Sequence, residues 1–178
     1  MIEKAVRLEK FDKLAYAGLV SWVDSKEMLM QFGGPGFNFP LTDEQLEQSL
    51  ADPNRYAFKV VDNATNAIIG HAQVYSTEDS AILGRILIGE KANRGRGLGE
   101  QIVELLLELA FSGFGKTRVQ LNVFDWNAGA IKCYEKVGFV VDPSKKLERK
   151  INGETWIALN MVIDRQTWEE RKNSTKRW

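Results

Sequence analysis

Apolar and polar positions follow two different periods along this chain, and those periods divide it into strands and helices. Residues 117–123 (TRVQLNV) alternate strictly between apolar and polar side chains, as a half-buried strand does. Residues 101–111 are rich in Leu, Glu and Ala and run long enough to form a helix. Similar patterns predict a short strand over 5–8, a helix over 12–30 and a capped helix from Thr42 to Leu50.

Three further strand-like runs occupy the middle of the chain, at 56–61, 67–75 and 81–88. Only the short turn-rich segments DNATN and STEDS separate them, which favours an antiparallel meander. From 81 to 123 the order is strand, loop, helix and strand. That order predicts a βαβ unit whose two strands are parallel neighbours.

The last third of the pattern predicts a helix over 127–137, stopped by Gly138, and then a hairpin turning at Asn152-Gly153. The whole reads as one mixed α/β domain over residues 1–165. Residues 166–178 read as a C-terminal tail that contributes little to the fold.

Composition and charge exclude several classes of function. The 178 residues contain 24 Lys and Arg against 24 Asp and Glu, so the net charge is zero and a nucleic-acid partner is disfavoured. One cysteine, Cys133, and one histidine, His71, exclude an internal disulfide and a Cys- or multi-His metal site, and they disfavour a Ser-His-Asp triad. Without an apolar leader or an 18-residue apolar run, we expect a cytoplasmic protein with no membrane partner and no metal.

A run of alternate glycines precedes the apolar helix, in the sequence RGRGLG at residues 94–99. Glycine permits positive φ and a close approach to bare N–H groups, and a helix N-terminus attracts phosphate. A tight strand-to-helix turn that binds nothing explains the same spacing, so both interpretations stand on this motif alone.

A second glycine-containing segment, GFGKT at 113–117, superficially matches a nucleotide-binding P-loop. The first glycine of that motif would fall at Ala110, and the segment follows a helix and precedes a strand, the reverse of the required order. A nucleotide-dependent phosphotransferase is therefore disfavoured.

Two motifs together carry a family resemblance. Residues 94–99 match the Q/R-x-x-G-x-G/A loop of the GNAT acyltransferases, and residues 127–139 (NAGAIKCYEKVGF) resemble that family's N-x-x-A-x-x-x-Y-x-x-x-G-F helix. The predicted element order also resembles the family over nearly all of 1–165, most closely the RimJ/RimL and spermidine acetyltransferase branch. The resemblance implies a mixed, mostly antiparallel GNAT sheet with a central parallel pair, and N-acetyl transfer from acetyl-CoA to a primary amine.

The resemblance also implies a set of site residues. The pyrophosphate of acetyl-CoA would lie on the loop formed by Arg94, Gly95, Arg96, Gly97, Leu98, Gly99 and Glu100. The pantetheine arm would pair with the backbone of Ile86, Leu87 and Ile88, and Asn127 would hold the cofactor by its side chain. Tyr134 would donate the proton to the leaving thiolate, since a phenol is a suitable acid for a thiolate of similar basicity.

The general base has no clear candidate in the sequence. Asn122 and Ile82 stand where family members carry carboxylates, and Glu78 and Asp79 are candidates by proximity only. His71 fits an ordinary strand residue better than a base. A water chain or an amine that arrives deprotonated would also serve, and a GNAT-like module that binds CoA with little turnover is the alternative function.

The acceptor and the oligomeric state stay open at this level. The acceptor side is expected to include an aromatic floor or a plain hydrophobic core, supplied by Trp22, Met28, Phe32, Phe37 and Phe39. A polyamine, a peptide or protein N-terminus, and a small molecule such as an amino acid or an antibiotic would each fit. The long apolar strand at 155–163 is expected to lie at a sheet edge, which favours a homodimer.

Overall fold

Seven strands form one continuous sheet in the computed structural model, which describes residues 3–175. Their spatial order is β1-β2-β3-β4-β5-β7-β6, and β4 and β5 are the parallel pair in an otherwise antiparallel sheet. The predicted fold class is therefore confirmed. The strands are β1 (Val6–Lys10), β2 (Arg55–Asp62), β3 (Ile68–Ser76), β4 (Ser80–Ile88), β5 (Arg118–Phe124), β6 (Val140–Ile151) and β7 (Glu154–Asp164).

Helices cover both the beginning of the chain and the crossover between the parallel strands. Within residues 3–175, no helix is both long and apolar enough to cross a membrane. The helices are α1 (Tyr16–Trp22), α2 (Lys26–Gly33), α3 (Asp43–Leu50), α4 (Leu98–Glu108), α5 (Ala128–Val137) and α6 (Arg165–Thr175).

The single helix expected over 12–30 was wrong, because the chain breaks after Trp22 and restarts. Ser25 takes an extended conformation, and its hydroxyl accepts a hydrogen bond from the Met28 N–H at 3.0 Å, which caps a new helix. Leu14, near the start of this segment, lies in a 3₁₀ turn and is 80 % exposed. The local cap overrides a rough apolar periodicity in this segment.

The predicted βαβ unit is confirmed. Helix α4 crosses between the parallel strands, with Ile102, Val103 and Leu106 fully buried in the main core. On β5, the alternate residues Val119 and Leu121 are also buried, as the two-residue period predicted.

The final hairpin turns as predicted, with Asn152 at φ 48° and Gly153 at φ 79°. The expectation that 155–163 forms a sheet edge was wrong. Strand β7 returns inside the sheet and pairs with both β5 and β6, so β6 is the edge strand. Strand β7 has no free edge for pairing with a second copy, so it does not support the expected homodimer.

The segment expected to be a C-terminal tail over 166–178 is helical as far as Thr175, and residues 176–178 lie outside the described part of the chain. Trp168 is 9 % exposed, and its ring lies 5.1 Å from that of Phe111 in the main core. Lys172 forms an ion pair with Glu108 on α4 at 2.5 Å. Helix α6 is thus packed on the domain and does contribute to it, unlike the expected tail.

Candidate active site

The parallel strands β4 and β5 are paired only at their beginnings. Their pairing runs from Ser80 and Arg118 to Leu83 and Leu121. Beyond that point β4 stays with β3, β5 stays with β7, and a cleft of about 400 Å³ opens between them. Residues 86–88, predicted from the resemblance to hold a pantetheine arm, lie on this diverging part of β4 and have no strand partner on the β5 side.

A bulge in β4 marks the point of divergence. Gln73 on β3 lies opposite Gly84, whereas His71 lies opposite Leu87, so two steps on β3 match three on β4. Arg85 occupies the bulge at φ 49°, a conformation that non-glycine residues rarely adopt. Such bulges redirect a side chain, and here the arginine is aimed into the cleft.

His71 fixes the bulge from the core side. Its Nδ1 lies 2.7 Å from the Arg85 carbonyl oxygen, and its ring packs edge-on against Phe11 and Phe32. Burial lowers the pKa of His71 to about 4, so the ring is neutral and Nδ1 donates the proton to the carbonyl. His71 lies on β3, as expected of an ordinary strand residue, and it is not among the residues that line the cleft.

The glycine loop has the geometry of an anion-binding turn. Gly95 and Gly97 have φ of 74° and 71°, and no atom lies within 4 Å of where a Cβ would be. Gly97 caps α4, so the N–H groups of its first turn point out of the helix without intrahelical partners. Gly99 differs, since it lies within the helix and its Cβ would come within 3.4 Å of the Cys133 sulfur.

The charged side chains of the loop hold it in place. Arg94 donates from Nε and Nη2 to the carbonyls of Ile88 and Gly89, at 3.1 and 3.2 Å. Arg96 bonds to Asn93, and Glu100 pairs with Lys136 of α5 at 3.0 Å. The side chains of the loop are thus engaged with the protein itself, whereas the backbone N–H groups in the first turn of α4 have no intrahelical partner.

Helix α5 brings two predicted residues to the same cleft. The Asn127 Oδ1 accepts a hydrogen bond from the Ala130 N–H at 3.3 Å and caps the helix, while the side chain lines the cleft. Tyr134 lies about two helical turns after Asn127 and also lines the cleft. The centre of its ring is 6.1 Å from that of Phe139. Burial raises the pKa of Tyr134, and its hydroxyl has no hydrogen-bond partner within residues 3–175. The hydroxyl is thus kept protonated and free to donate.

No carboxylate occupies the two positions at which the resemblance expects a base. Ile82 and Asn122 both line the cleft, and the Asn122 Oδ1 accepts a hydrogen bond from Asn160 at 3.0 Å. Glu78 and Asp79 lie in the turn between β3 and β4 and do not line the cleft. Among the described residues that line the cleft there is no Asp or Glu to act as a conventional carboxylate base.

The expected aromatic floor divides between cleft and core. Met28 and Phe32 line the cleft, whereas Trp22 packs against Gly89, where any Cβ would meet its ring at 2.0 Å. Phe37 is buried, and Phe39 is 40 % exposed and does not line the cleft.

Sequence reasoning missed three arginines that line the cleft, Arg55, Arg85 and Arg149. The Arg85 guanidinium lies 4.1 Å from the Phe37 ring centroid and donates to the Ser49 Oγ at 2.6 Å. Arg55 donates to the Ser49 carbonyl at 3.0 Å, so two guanidinium groups converge on the end of α3. The available signal was Gly84-Arg85, which interrupts an apolar strand with a glycine and a charge.

The P-loop-like segment takes no part in the cleft. The Lys116 ammonium donates to the carbonyls of Thr77 and Glu78, which ties the loop after α4 to the turn before β4. This lysine has a structural role, in keeping with the motif's failure on spacing.

Comparisons with known proteins agree with this geometry. The family model described as "Acetyltransferase (GNAT) family" matches residues 22–139. The chain is 27 % identical over 172 residues to an aminoglycoside N(6')-acetyltransferase type 1 of Klebsiella pneumoniae, covering 88 % of this chain and 82 % of that protein. Spermidine N-acetyltransferase from Vibrio cholerae, solved with CoA and spermine, matches with a TM-score of 0.78 at 20 % identity, over 94 % of this chain and 99 % of that chain. The aminoglycoside acetyltransferase AAC(6')-Ib, solved with ribostamycin and coenzyme A, matches with a TM-score of 0.72 at 25 % identity, over 93 % and 96 %.

Proposed function

Because this chain belongs to the GNAT acetyltransferase family, we propose that it transfers the acetyl group of acetyl-CoA to a primary amine by direct attack in a ternary complex. One observation carries the proposal. The glycine loop that opens α4 stands at the end of the strand that diverges from its parallel neighbour, and Tyr134 lines the resulting cleft. Both substrates can therefore meet inside one cleft without a covalent enzyme intermediate.

Acetyl-CoA, when bound, supplies the acetyl group as an activated thioester. The backbone of residues 94–100 fits its diphosphate, because Gly95 and Gly97 leave open space and the first N–H groups of α4 have no intrahelical partner. The unpaired side of residues 86–88 offers peptide groups to an extended arm, although Arg94 already occupies the Ile88 carbonyl. Asn127 caps α5 through Oδ1, so its Nδ2 is the group that would reach a ligand.

Tyr134 is the proposed general acid. Its raised pKa keeps the phenol protonated at neutral pH, and its hydroxyl is not committed to another group within residues 3–175. The departing thiolate would take this proton as the carbon–sulfur bond breaks, while the amine nitrogen forms the new bond to the acetyl carbon. The nitrogen would release its surplus proton to water, and the tyrosinate would regain a proton from water. Cys133, the neighbouring residue, is a poor nucleophile, because burial raises the pKa of its thiol to about 11.

The alternative function, a CoA-binding module with little turnover, is favoured by one observation. Neither Ile82 nor Asn122 can accept a proton from the attacking amine. Release of free thiol from acetyl-CoA across a panel of primary amines separates the two functions. We expect release above the hydrolysis background with at least one amine, whereas CoA binding by calorimetry without any release would establish the alternative.

We further propose a cytoplasmic homodimer formed through the outer edge of β6. Val140 and Val141 on this edge strand are 63 % and 40 % exposed, and the strand has a partner on one side only within the described sheet. The edge of β6 thus takes the place of 155–163 in the dimer prediction.

A further inference from the structure

The acceptor side of the cleft is positively charged. Arg55, Arg85 and Arg149 line it, and no Asp or Glu is found among its lining residues within the described range 3–175. Within the described range, the only ion pair made by these three arginines joins Arg55 to Asp52 at 3.8 Å. The cleft therefore has three guanidinium groups and one peripheral carboxylate.

Contacts from several elements fix the position of Arg85. The bulge in β4 turns it inward at a strained φ of 49°, and His71 holds its carbonyl from the core. The guanidinium of Arg85 lies against the buried ring of Phe37. It also donates a hydrogen bond to Ser49 in the last turn of α3, where the helix carries a partial negative charge. These contacts fix the guanidinium but use one of its five N–H donors in a hydrogen bond.

An unpaired guanidinium beside a cavity is suited to an anion. Arginine presents a planar fork that binds a carboxylate with two parallel hydrogen bonds. Polyamines and aminoglycosides carry several ammonium groups at neutral pH, and three arginines would repel them. The charge of this cleft is therefore opposite to what a polycationic acceptor requires.

Building on the proposed acetyl transfer, we propose that the acceptor is a primary amine bearing a carboxylate, such as an amino acid or a short peptide, and that Arg85 binds the carboxylate. The acceptor differs in charge from the spermine and ribostamycin named with the two solved relatives.

The same charges account for the missing base. A positive neighbourhood disfavours the ammonium form of a bound amine and lowers its pKa. More of the bound amine is then neutral and able to attack, without a carboxylate at Ile82 or Asn122. Removing a guanidinium charge should shift the acid limb of the kcat profile, which reports the bound amine, to higher pH.

The test uses sets of acceptors that share one skeleton. Within a set, 4-aminobutyrate, 4-aminobutanamide and 1,4-diaminobutane present the same primary amine with an anionic, neutral or cationic far end. Phenylalanine with phenylalaninamide and glycylglycine with glycylglycinamide extend it to α-amines. We expect kcat/KM from thiol release to favour the carboxylate at least about tenfold. Equal rates, or faster acetylation of the amide or diamine, would overturn the inference and leave acetyl transfer intact.

Arg85→Met keeps a side chain of similar length on the Phe37 ring and removes the charge. We expect it to abolish the carboxylate preference with KM for acetyl-CoA unchanged, and Arg149→Met to weaken that preference. The control Arg7→Gln removes a guanidinium on β1 that does not line the cleft, and should retain the preference. A preference kept in both cleft variants, or a loss confined to acetyl-CoA binding, would contradict the assignment.

A binding experiment tests the anionic acceptor independently of the proposed acetyl transfer. Calorimetric titration of the CoA complex with the N-acetylated carboxylates and amides requires no turnover. We expect the carboxylates to bind at least about tenfold more tightly. Equal affinities refute the anionic acceptor, whereas thiol release absent with every amine refutes acetyl transfer alone.

Discussion

At the residue scale, two side chains at this cleft owe their chemistry to burial. Tyr134 keeps its proton because burial raises its pKa, and His71 remains neutral because burial lowers its own to about 4. The first therefore suits a proton donor in the cleft, and the second a fixed hydrogen-bond donor beneath it. Burial thus favours the neutral form of both residues, and the role of each can be measured separately.

Tyr134→Phe should remove the proton donor and retain the ring packing. Positioned proton transfer contributes about 10² to 10⁴ in rate, so we expect kcat to fall within that range while KM for acetyl-CoA changes by less than about threefold. Steady-state kinetics measures both. The control Tyr56→Phe lies outside the cleft and should change neither. If the acetyl-transfer step followed before steady state is as fast as in the parent, Tyr134 is not the acid.

Acid should destabilise the protein through His71. Its pKa is about 4 in the folded protein against the ordinary histidine value of 6.5, so between these pH values the unfolded chain binds a proton that the folded chain does not. The stabilisation present above pH 6.5 is lost as the pH falls toward 4, about 3 kcal/mol in all. Urea denaturation at several pH values in this window measures it. His71→Gln should flatten the slope, and an unchanged slope would place the loss elsewhere.

At the element scale, the loop opening α4 and the helix α6 illustrate two different ways in which an element can serve the domain. The loop is exposed from Arg94 to Gly97 and leads into helical N–H groups that have no intrahelical partner, so its proposed contribution is to ligand binding. Helix α6 covers the core beside Phe111, so its contribution is to stability. Substitutions in the two should therefore affect different measurements.

Gly97→Val should weaken CoA binding by at least tenfold, about 1.4 kcal/mol or more. The branched side chain would stand where a diphosphate approaches, and the positive φ adds backbone strain of about 1 kcal/mol, which the fold should survive. Gly115→Val is a matched control, since Gly115 also has positive φ and open space but lies beyond the C-terminal end of α4, the opposite end from Gly97. Calorimetry that finds equal CoA affinity in the two variants would remove the loop from the cofactor site.

Trp168→Ala should destabilise the domain by about 3 kcal/mol, because it removes a buried aromatic ring from the core. Trp126→Ala, at a position 49 % exposed, is the control and should cost less. Denaturant unfolding followed by circular dichroism measures both. Equal costs would mean that α6 is not an integral part of the domain.

At the scale of the whole molecule, the edges of the sheet decide how copies could associate. Strands β1 and β6 are the two edges, and β6 carries the exposed pair Val140 and Val141. A zero net charge offers no strong repulsion between copies. These two valines are the exposed large apolar residues of an edge strand that is otherwise mostly charged, and self-association through them can be tested directly.

Sedimentation velocity at micromolar concentration should give twice the 20.2 kDa mass of one chain. A double substitution of Val140 and Val141 to Lys should shift the species toward the monomer, because charges on an edge strand oppose pairing. A monomer in the parent protein would rule out the dimer at that concentration, and a dimer unaffected by the substitutions would place the interface elsewhere.

Local sequence determined those parts of the protein that depend on neighbouring residues. The period of 117–123, the Thr42 cap and the Asn152-Gly153 turn each predicted an observed element, because pleat, cap and turn geometry are set within a few residues. The glycine loop and the residue order around Tyr134 were likewise legible as motifs, and so indicated the family.

Tertiary structure alone decided the rest. The place of β7 inside the sheet and the packing of Trp168 depend on partners far away in the chain, for which no local pattern exists. The convergence of Arg55, Arg85 and Arg149 is of the same kind, since residues from β2, β4 and β6 meet only after the sheet has formed and β4 has bulged. Sequence thus indicated the chemistry of the reaction, whereas the charge of the acceptor cleft emerged only when distant strands were brought together.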